Sequence, residues 1–102
     1  MYAIVRLNTF DELKLAGAAA ELERFSRAHA SQPGYVGTLT VAIDGERRLT
    51  VNIWQSEEHA RRGLASLGPE VGRVLEPVML APSELMGAGR VLQADLPRLA
   101  GA

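Results

Sequence analysis

The 102-residue chain contains no cysteine. Disulfides, thiolate nucleophiles and cysteine-ligated zinc or iron–sulfur centres are thereby excluded. Histidine is almost as scarce, with only His29 and His59. A metal site would have to be built mostly from carboxylates, and no cluster has ligand spacing, so no metal is expected. Aromatic residues make up 5% of the chain, and Trp54 is its one tryptophan. A net charge of −1 supplies no field that would gather nucleic acid or an anionic membrane surface. The basic pairs Arg47-Arg48 and Arg61-Arg62 are explained by a hairpin end and a solvated helix face. No apolar run approaches the roughly 20 residues that span a bilayer. "MYAIVRLNTF" has no charged stretch leading into an apolar one, so no secretory signal is expected. What remains is ordinary: 47% hydrophobic and 23% charged residues, the composition of a globular protein, with a cytoplasmic location expected.

The apolar residues that are present fall into two periods. "YAIVRLN" alternates, with Ala3, Val5 and Leu7 on one side and Tyr2, Ile4, Arg6 and Asn8 on the other, the pattern of a half-buried strand. Thr9 or Asp11 can cap a helix. "DELKLAGAAAELERFSRAHA" then spaces Leu15, Ala18, Ala19, Leu22, Phe25 and Ala28–Ala30 at close to helical intervals, with Gly17 tolerated at about 1 kcal/mol relative to alanine. Pro33 and Gly34 end this helix and permit a turn. "YVGTLTVAI" and "RLTVNIWQ" alternate again around an Asp44-Gly45 hairpin signal. A two-residue loop would set Leu39 opposite Thr50 and scramble the faces. An odd loop or a bulge sets Leu39 opposite Val51 and Val41 opposite Leu49, and is expected because a one-residue slip flips every side chain. Ser56 suits an N-cap, and Glu57 and Glu58 suit the positive end of the helix dipole. That helix should run to about Leu67, break at Gly68-Pro69 and resume through "EVGRVLEPVML". "GAGRVLQADL" can supply a fourth strand, and "PRLAGA" a loose terminus.

The order β-α-β-β-α-β is that of an α+β, ferredoxin-like unit with an antiparallel sheet, expected over residues 1–96 with a tail at 97–102. The continuously aliphatic rows (Ala3, Val5, Leu7; Leu39, Val41, Ile43; Leu49, Val51, Ile53) are expected to lie under the helices. The other face would carry Tyr2, Ile4, Arg6, Asn8, Thr38, Thr40, Thr50, Asn52 and Trp54. Large apolar pieces among neutral polar ones are what an enclosed ligand cavity looks like.

The stretch "QPGYVGTLTVAIDGERRLTVNIWQSEEHARRGL" resembles the central block of the antibiotic-biosynthesis-monooxygenase-like domains, members of the dimeric α+β barrel superfamily. The shared pattern is a Pro-Gly turn followed by an aromatic residue, two strands, a Trp-x-Ser strand end and a helix: here Pro33, Gly34, Tyr35, Trp54 and Ser56. The resemblance implies a homodimer whose sheets meet through their uncovered faces. It also implies a small aromatic or quinol-type ligand and oxygenation without a cofactor; the charge, as above, argues for no nucleic-acid and no membrane partner. A non-catalytic dimeric barrel holding a small hydrophobic ligand is the alternative. Heme degradation fits poorly, because the expected first-strand asparagine and later-helix histidine are missing.

Within that frame the resemblance marks Asn52 and Trp54 as the candidate catalytic pair. They are two residues apart and so share a strand face; Trp54 would stack on a flat substrate, and Asn52 would donate to a developing oxyanion. The competing readings are strand-end packing for Trp54, with its indole N–H on a nearby carbonyl, and a cross-sheet hydrogen bond for Asn52. Arg6, Tyr2, Thr50, Tyr35 and His59 are the candidate substrate-binding residues. Arg6 could meet a phenolate oxygen or a carboxylate across a dimer. Tyr35 could anchor the turn or donate a proton, and His59 could be solvated or serve as acid or base. His29, near a helix end, needs no explanation beyond the dipole.

Overall fold

The computed structural model describes residues 1–95; the tail expected at 97–102 and the last residue of the expected domain, residue 96, lie outside them. Four antiparallel strands, β1 (Tyr2–Thr9), β2 (Tyr35–Ala42), β3 (Arg47–Trp54) and β4 (Glu84–Arg90), form one open sheet in the order β2-β3-β1-β4. Helices α1 (Glu12–Gly17), α2 (Ala19–Ala30) and α3 (Glu57–Glu70) make the second layer. The ferredoxin-like α+β order read from the sequence is therefore the observed one.

Local chemistry accounts for most boundaries. Asp11 caps α1, its side chain accepting from the Lys14 N–H. The expected single first helix is interrupted at Ala18 (φ −109°, ψ 16°), directly after Gly17. A glycine there costs about 1 kcal/mol of helix stability, and the chain breaks instead of continuing. The β2–β3 hairpin has the odd loop: Leu39 faces Val51, Val41 faces Leu49, and Ala42 faces Arg48. The Ile43 N–H then closes onto the Arg47 carbonyl at 2.9 Å. Asp44 accepts from the backbone N–H groups of Glu46 and Arg47, at 3.2 and 3.0 Å. Ser56 caps α3 by accepting from the His59 N–H.

Two further boundaries differ from expectation. Gly68-Pro69 does not break α3; Pro69 lies inside it, and the chain runs on through a π-helix (Val71–Leu75) and a 3₁₀ turn (Glu76–Val78). Proline removes one N–H donor. Beyond it the Val71 N–H is shared between the Leu67 and Gly68 carbonyls, and the Glu76 N–H reaches the Val71 carbonyl, so widened turns keep the backbone paired. The fourth strand begins at Glu84 and ends at Arg90, earlier than the apolar run suggested.

The larger correction concerns the sheet faces. The helices cover the face of Tyr2, Ile4 and Trp54, not the aliphatic rows. Ile4, Trp54 and Ala60 form a buried cluster with Tyr2 and Tyr35 against it, while Leu39, Val41 and Ile43 are 37–47% exposed. A Cβ at Gly63 would stand 2.4 Å from Trp54 Cη2, so α3 meets the indole at bare backbone. The small surface of Ala60 and Gly63 fits the one large ring, and that fit decides which face α3 takes. The barrel-side position expected for Trp54 is thus overturned.

Candidate active site

Alternation along β3 aims Thr50, Asn52 and Trp54 toward the helices. Register sets Arg6, Ile4 and Tyr2 of β1 beside them on one flank. Thr40, Thr38 and Tyr35 of β2 flank them on the other, with a bulge between Tyr35 and Gly37. All of these but Tyr35 belong to the polar-and-apolar face read from the sequence; its partner layer is the helices.

At the centre is a chain of side-chain hydrogen bonds. The Tyr35 hydroxyl donates to Thr38 Oγ1 at 2.9 Å. The Thr38 hydroxyl donates to Asn52 Oδ1, also at 2.9 Å. The amide oxygen of half-buried Asn52 is thereby occupied, while its N–H₂ group meets no acceptor among the described residues. A primary amide held by its oxygen presents two donors in a fixed direction, the equipment needed to stabilise negative charge on a ligand oxygen.

Trp54 stands behind this chain with no exposed surface. It offers no face to a substrate and packs in the buried cluster with Ile4 and Ala60 instead. Its Nε1 has no hydrogen-bond partner among the described residues, so the nearby carbonyl expected for it is absent there. His29 and Tyr35 meet the indole edge-on, at centroid separations of 5.4 and 5.9 Å. His29 is also 5.2 Å from Tyr35. Burial among these rings lowers the His29 pKa below its ordinary value and so favours the neutral imidazole.

The remaining candidates disperse. Arg6 lies across from Thr50 and donates to Ser83 Oγ at 3.4 Å. Thr50 is half-buried between Arg6 and Thr40. Tyr2 packs on the core and lines a cleft of about 530 Å³ with Ser56 and Arg90. His59 belongs to the α3 cap, its Nδ1 2.7 Å from Ser56 Oγ. Its ring occupies the place where a Cβ on Gly34 (φ 81°) would stand. The structure thus joins Asn52, Tyr35 and Trp54 and leaves His59 and Tyr2 to the neighbouring cap and cleft. Thr38, read onto this face but not singled out as a site residue, and His29, not read into the site, both join it. Thr38 shares the Asn52 face by simple alternation, and that was its legible signal. His29 reaches Trp54 only through the docking of α2, which has no signature in the local sequence.

Structural comparison places this architecture. The cofactor-independent oxygenase SnoaB from Streptomyces nogalater, solved with one asparagine replaced by alanine, superposes with a TM-score of 0.72 over 94% of this chain and 96% of its own, at 21% identity. The chain has the fold of the antibiotic-biosynthesis-monooxygenase-like domains. A monooxygenase of that description from Nitrosomonas europaea gives 0.72 over 91% and 100% of the two chains, at 14% identity. One from Chloroflexus aurantiacus gives 0.63 over 92% and 96%, at 15% identity. No protein-family model matches the sequence, and no curated protein matches it. Among the described residues of this monooxygenase-like fold, no helix is long and apolar enough to cross a membrane.

Proposed function

We propose that this protein is a cofactor-independent monooxygenase acting on an aromatic or quinol-type small molecule, assembled as a homodimer. The observation that carries the reading is the Asn52 amide, held through its oxygen, with its N–H₂ group meeting no acceptor among the described residues. A phenol-activated carbon acid such as an anthrone loses a proton to become an enolate. The enolate gives its electrons to dioxygen, and the CH₂ group plus O₂ becomes a C=O group plus water. The substrate supplies the reducing power, and the protein supplies orientation and electrostatic support. Asn52 donates to the enolate oxygen, Arg6 from the same face adds positive charge, and buried Trp54 keeps the strand end rigid. A cytoplasmic location belongs to the same reading, in keeping with the cysteine-free composition.

The test is oxygen uptake by the purified protein with anthrones and hydroquinones. Asn52→Ala is expected to lower kcat by on the order of 10²-fold, the loss of one oxyanion donor, without lowering the unfolding midpoint. Failure of the wild-type protein to consume oxygen with any of these compounds would overturn the reading. One observation favours a second reading, a non-catalytic barrel holding a hydrophobic ligand. A cleft of about 580 Å³ opens on the helix-free face, lined by Ala3, Leu39, Val51, Ile53 and Val91. Under that reading an apolar compound binds without turnover, and Leu39 substitutions weaken it while Asn52 substitutions do not.

A further inference from the structure

We infer that Thr38 is a positioning residue: with Tyr35 behind it, it fixes which end of the Asn52 amide faces the site. The inference rests on the oxyanion-donor role proposed for Asn52. A side-chain amide is nearly symmetric in shape, and its O and N–H₂ ends exchange by rotation about one bond. Only its hydrogen-bond partners decide which end points where. Here the partner is directional. Tyrosine carries the more acidic hydroxyl of the pair and is the better donor, so the Tyr35 proton lies toward Thr38 Oγ1, 2.9 Å away. The Thr38 proton then has Asn52 as its acceptor, also at 2.9 Å. Rotating the amide by half a turn would let the second lone pair of Thr38 Oγ1 accept from the N–H₂ group, but it would leave the Thr38 proton, which Tyr35 directs toward Asn52, without its side-chain acceptor. The Tyr35–Thr38 pair therefore selects the rotamer that turns both N–H donors away from β2.

The geometry is achieved by the β2 bulge. Tyr35 faces Trp54, Gly37 faces Ile53 and Thr38 faces Asn52, with the extra residue between Tyr35 and Gly37. Without the bulge, strict alternation would turn Tyr35 and Thr38 to opposite faces. The irregularity brings residues three apart onto one face, where their hydroxyls meet.

The experiment compares wild type with Thr38→Val, which keeps the β-branched shape and removes the hydroxyl, and with Thr38→Ser, which keeps the hydroxyl. The first readout is the side-chain ¹⁵N–¹H₂ signal of Asn52 in solution NMR. Two well-resolved protons at fixed shifts are expected in wild type and Thr38→Ser, and shifted, exchange-broadened ones in Thr38→Val. Tyr35→Phe should move the signal in the same direction by less. The second readout is oxygen uptake with an anthrone. Thr38→Val is expected to lower kcat about tenfold, the worth of the one hydrogen bond that orients the Asn52 donor, with KM unchanged and with recovery in Thr38→Ser. An Asn52 signal identical in Thr38→Val and wild type overturns the inference. Wild-type protein inert toward the anthrone overturns the catalytic reading instead, while the NMR comparison still decides whether Thr38 holds the amide. Coincident unfolding midpoints for the three threonine-site proteins ensure that the comparison is made on folded chains.

Discussion

His29 shows two local forces in opposition. It lies in the last turn of α2, where the helix dipole favours a protonated ring. Its burial against Trp54 and Tyr35 opposes that charge and lowers the pKa. The sign of the consequence follows. Below its ordinary pKa of about 6.5 the unfolded chain takes up this proton more readily than the folded one. The contribution of His29 is therefore complete above that value and is lost as the pH falls through the depressed folded-state value. Urea unfolding followed from about pH 7 down to pH 5, the range in which histidine titrates, should show stability declining with pH. His29→Gln should flatten that part of the profile. An unchanged slope in His29→Gln would mean the ring is not held neutral by its neighbours. The residue illustrates what is legible at this scale. Asn52 and Trp54 could be paired from their spacing alone, because alternation is a local property of a strand. The approach of His29 to Trp54 spans residues far apart in the chain and depends on how α2 docks.

Among the elements, α3 carries the most consequential contact. Gly63 is buried, and an added Cβ would fall 2.4 Å from Cη2 and 2.7 Å from Cζ3 of Trp54. The ring is rigid and fully enclosed, so the backbone of α3 would have to retreat. Gly63→Ala should cost about 1–3 kcal/mol, the range for overpacking a core. Gly68, on the same helix, has nothing outside its own stretch of chain within 4 Å of its missing Cβ. Gly68→Ala should cost less than Gly63→Ala, because the crowding its Cβ meets is confined to the ring of Pro69, next in the chain. Chemical denaturation of the two variants checks both, and a loss of equal size at the two positions would refute the close approach. The caps and the hairpin register were legible because Ser56, Asp11 and Asp44 act on backbone groups a few residues away. The passage of α3 through Pro69 was not, because packing along the whole helix outweighs the break preferred by the Gly-Pro dipeptide.

The whole molecule presents an aliphatic sheet face that its own helices do not cover, with Leu39, Val41 and Ile43 exposed and Leu49, Val51 and Ile53 half-buried beside them. A continuous apolar surface of this kind ordinarily marks an interaction site. If the proposed homodimer uses it, light scattering at micromolar concentration should give the mass of two chains. Leu39→Asp should then weaken association at least 100-fold, since a buried unpaired charge costs about 3–5 kcal/mol, while leaving the far-ultraviolet circular dichroism of the monomer intact. A one-chain mass for wild type would overturn the dimer. Loss of the β-sheet spectrum in Leu39→Asp would instead make this face part of the fold's own core.

The amino-acid sequence by itself determined the order of the elements, the odd hairpin loop that pairs Leu39 with Val51, the α3 cap at Ser56, and the sharing of one strand face by Asn52 and Trp54. Each follows from forces acting within a few residues or across one turn: side-chain alternation, hydroxyl and carboxylate caps, and the φ preferences of proline and glycine. Only the tertiary structure decided which sheet face the helices cover. Both faces are apolar enough to be withdrawn from water, and hydrophobicity records that a surface avoids solvent, not what covers it. The choice went to the face where one indole fits the bare backbone of Gly63. Such a fit is a matter of shape between segments distant in the chain, and it enters no period, propensity or spacing along them.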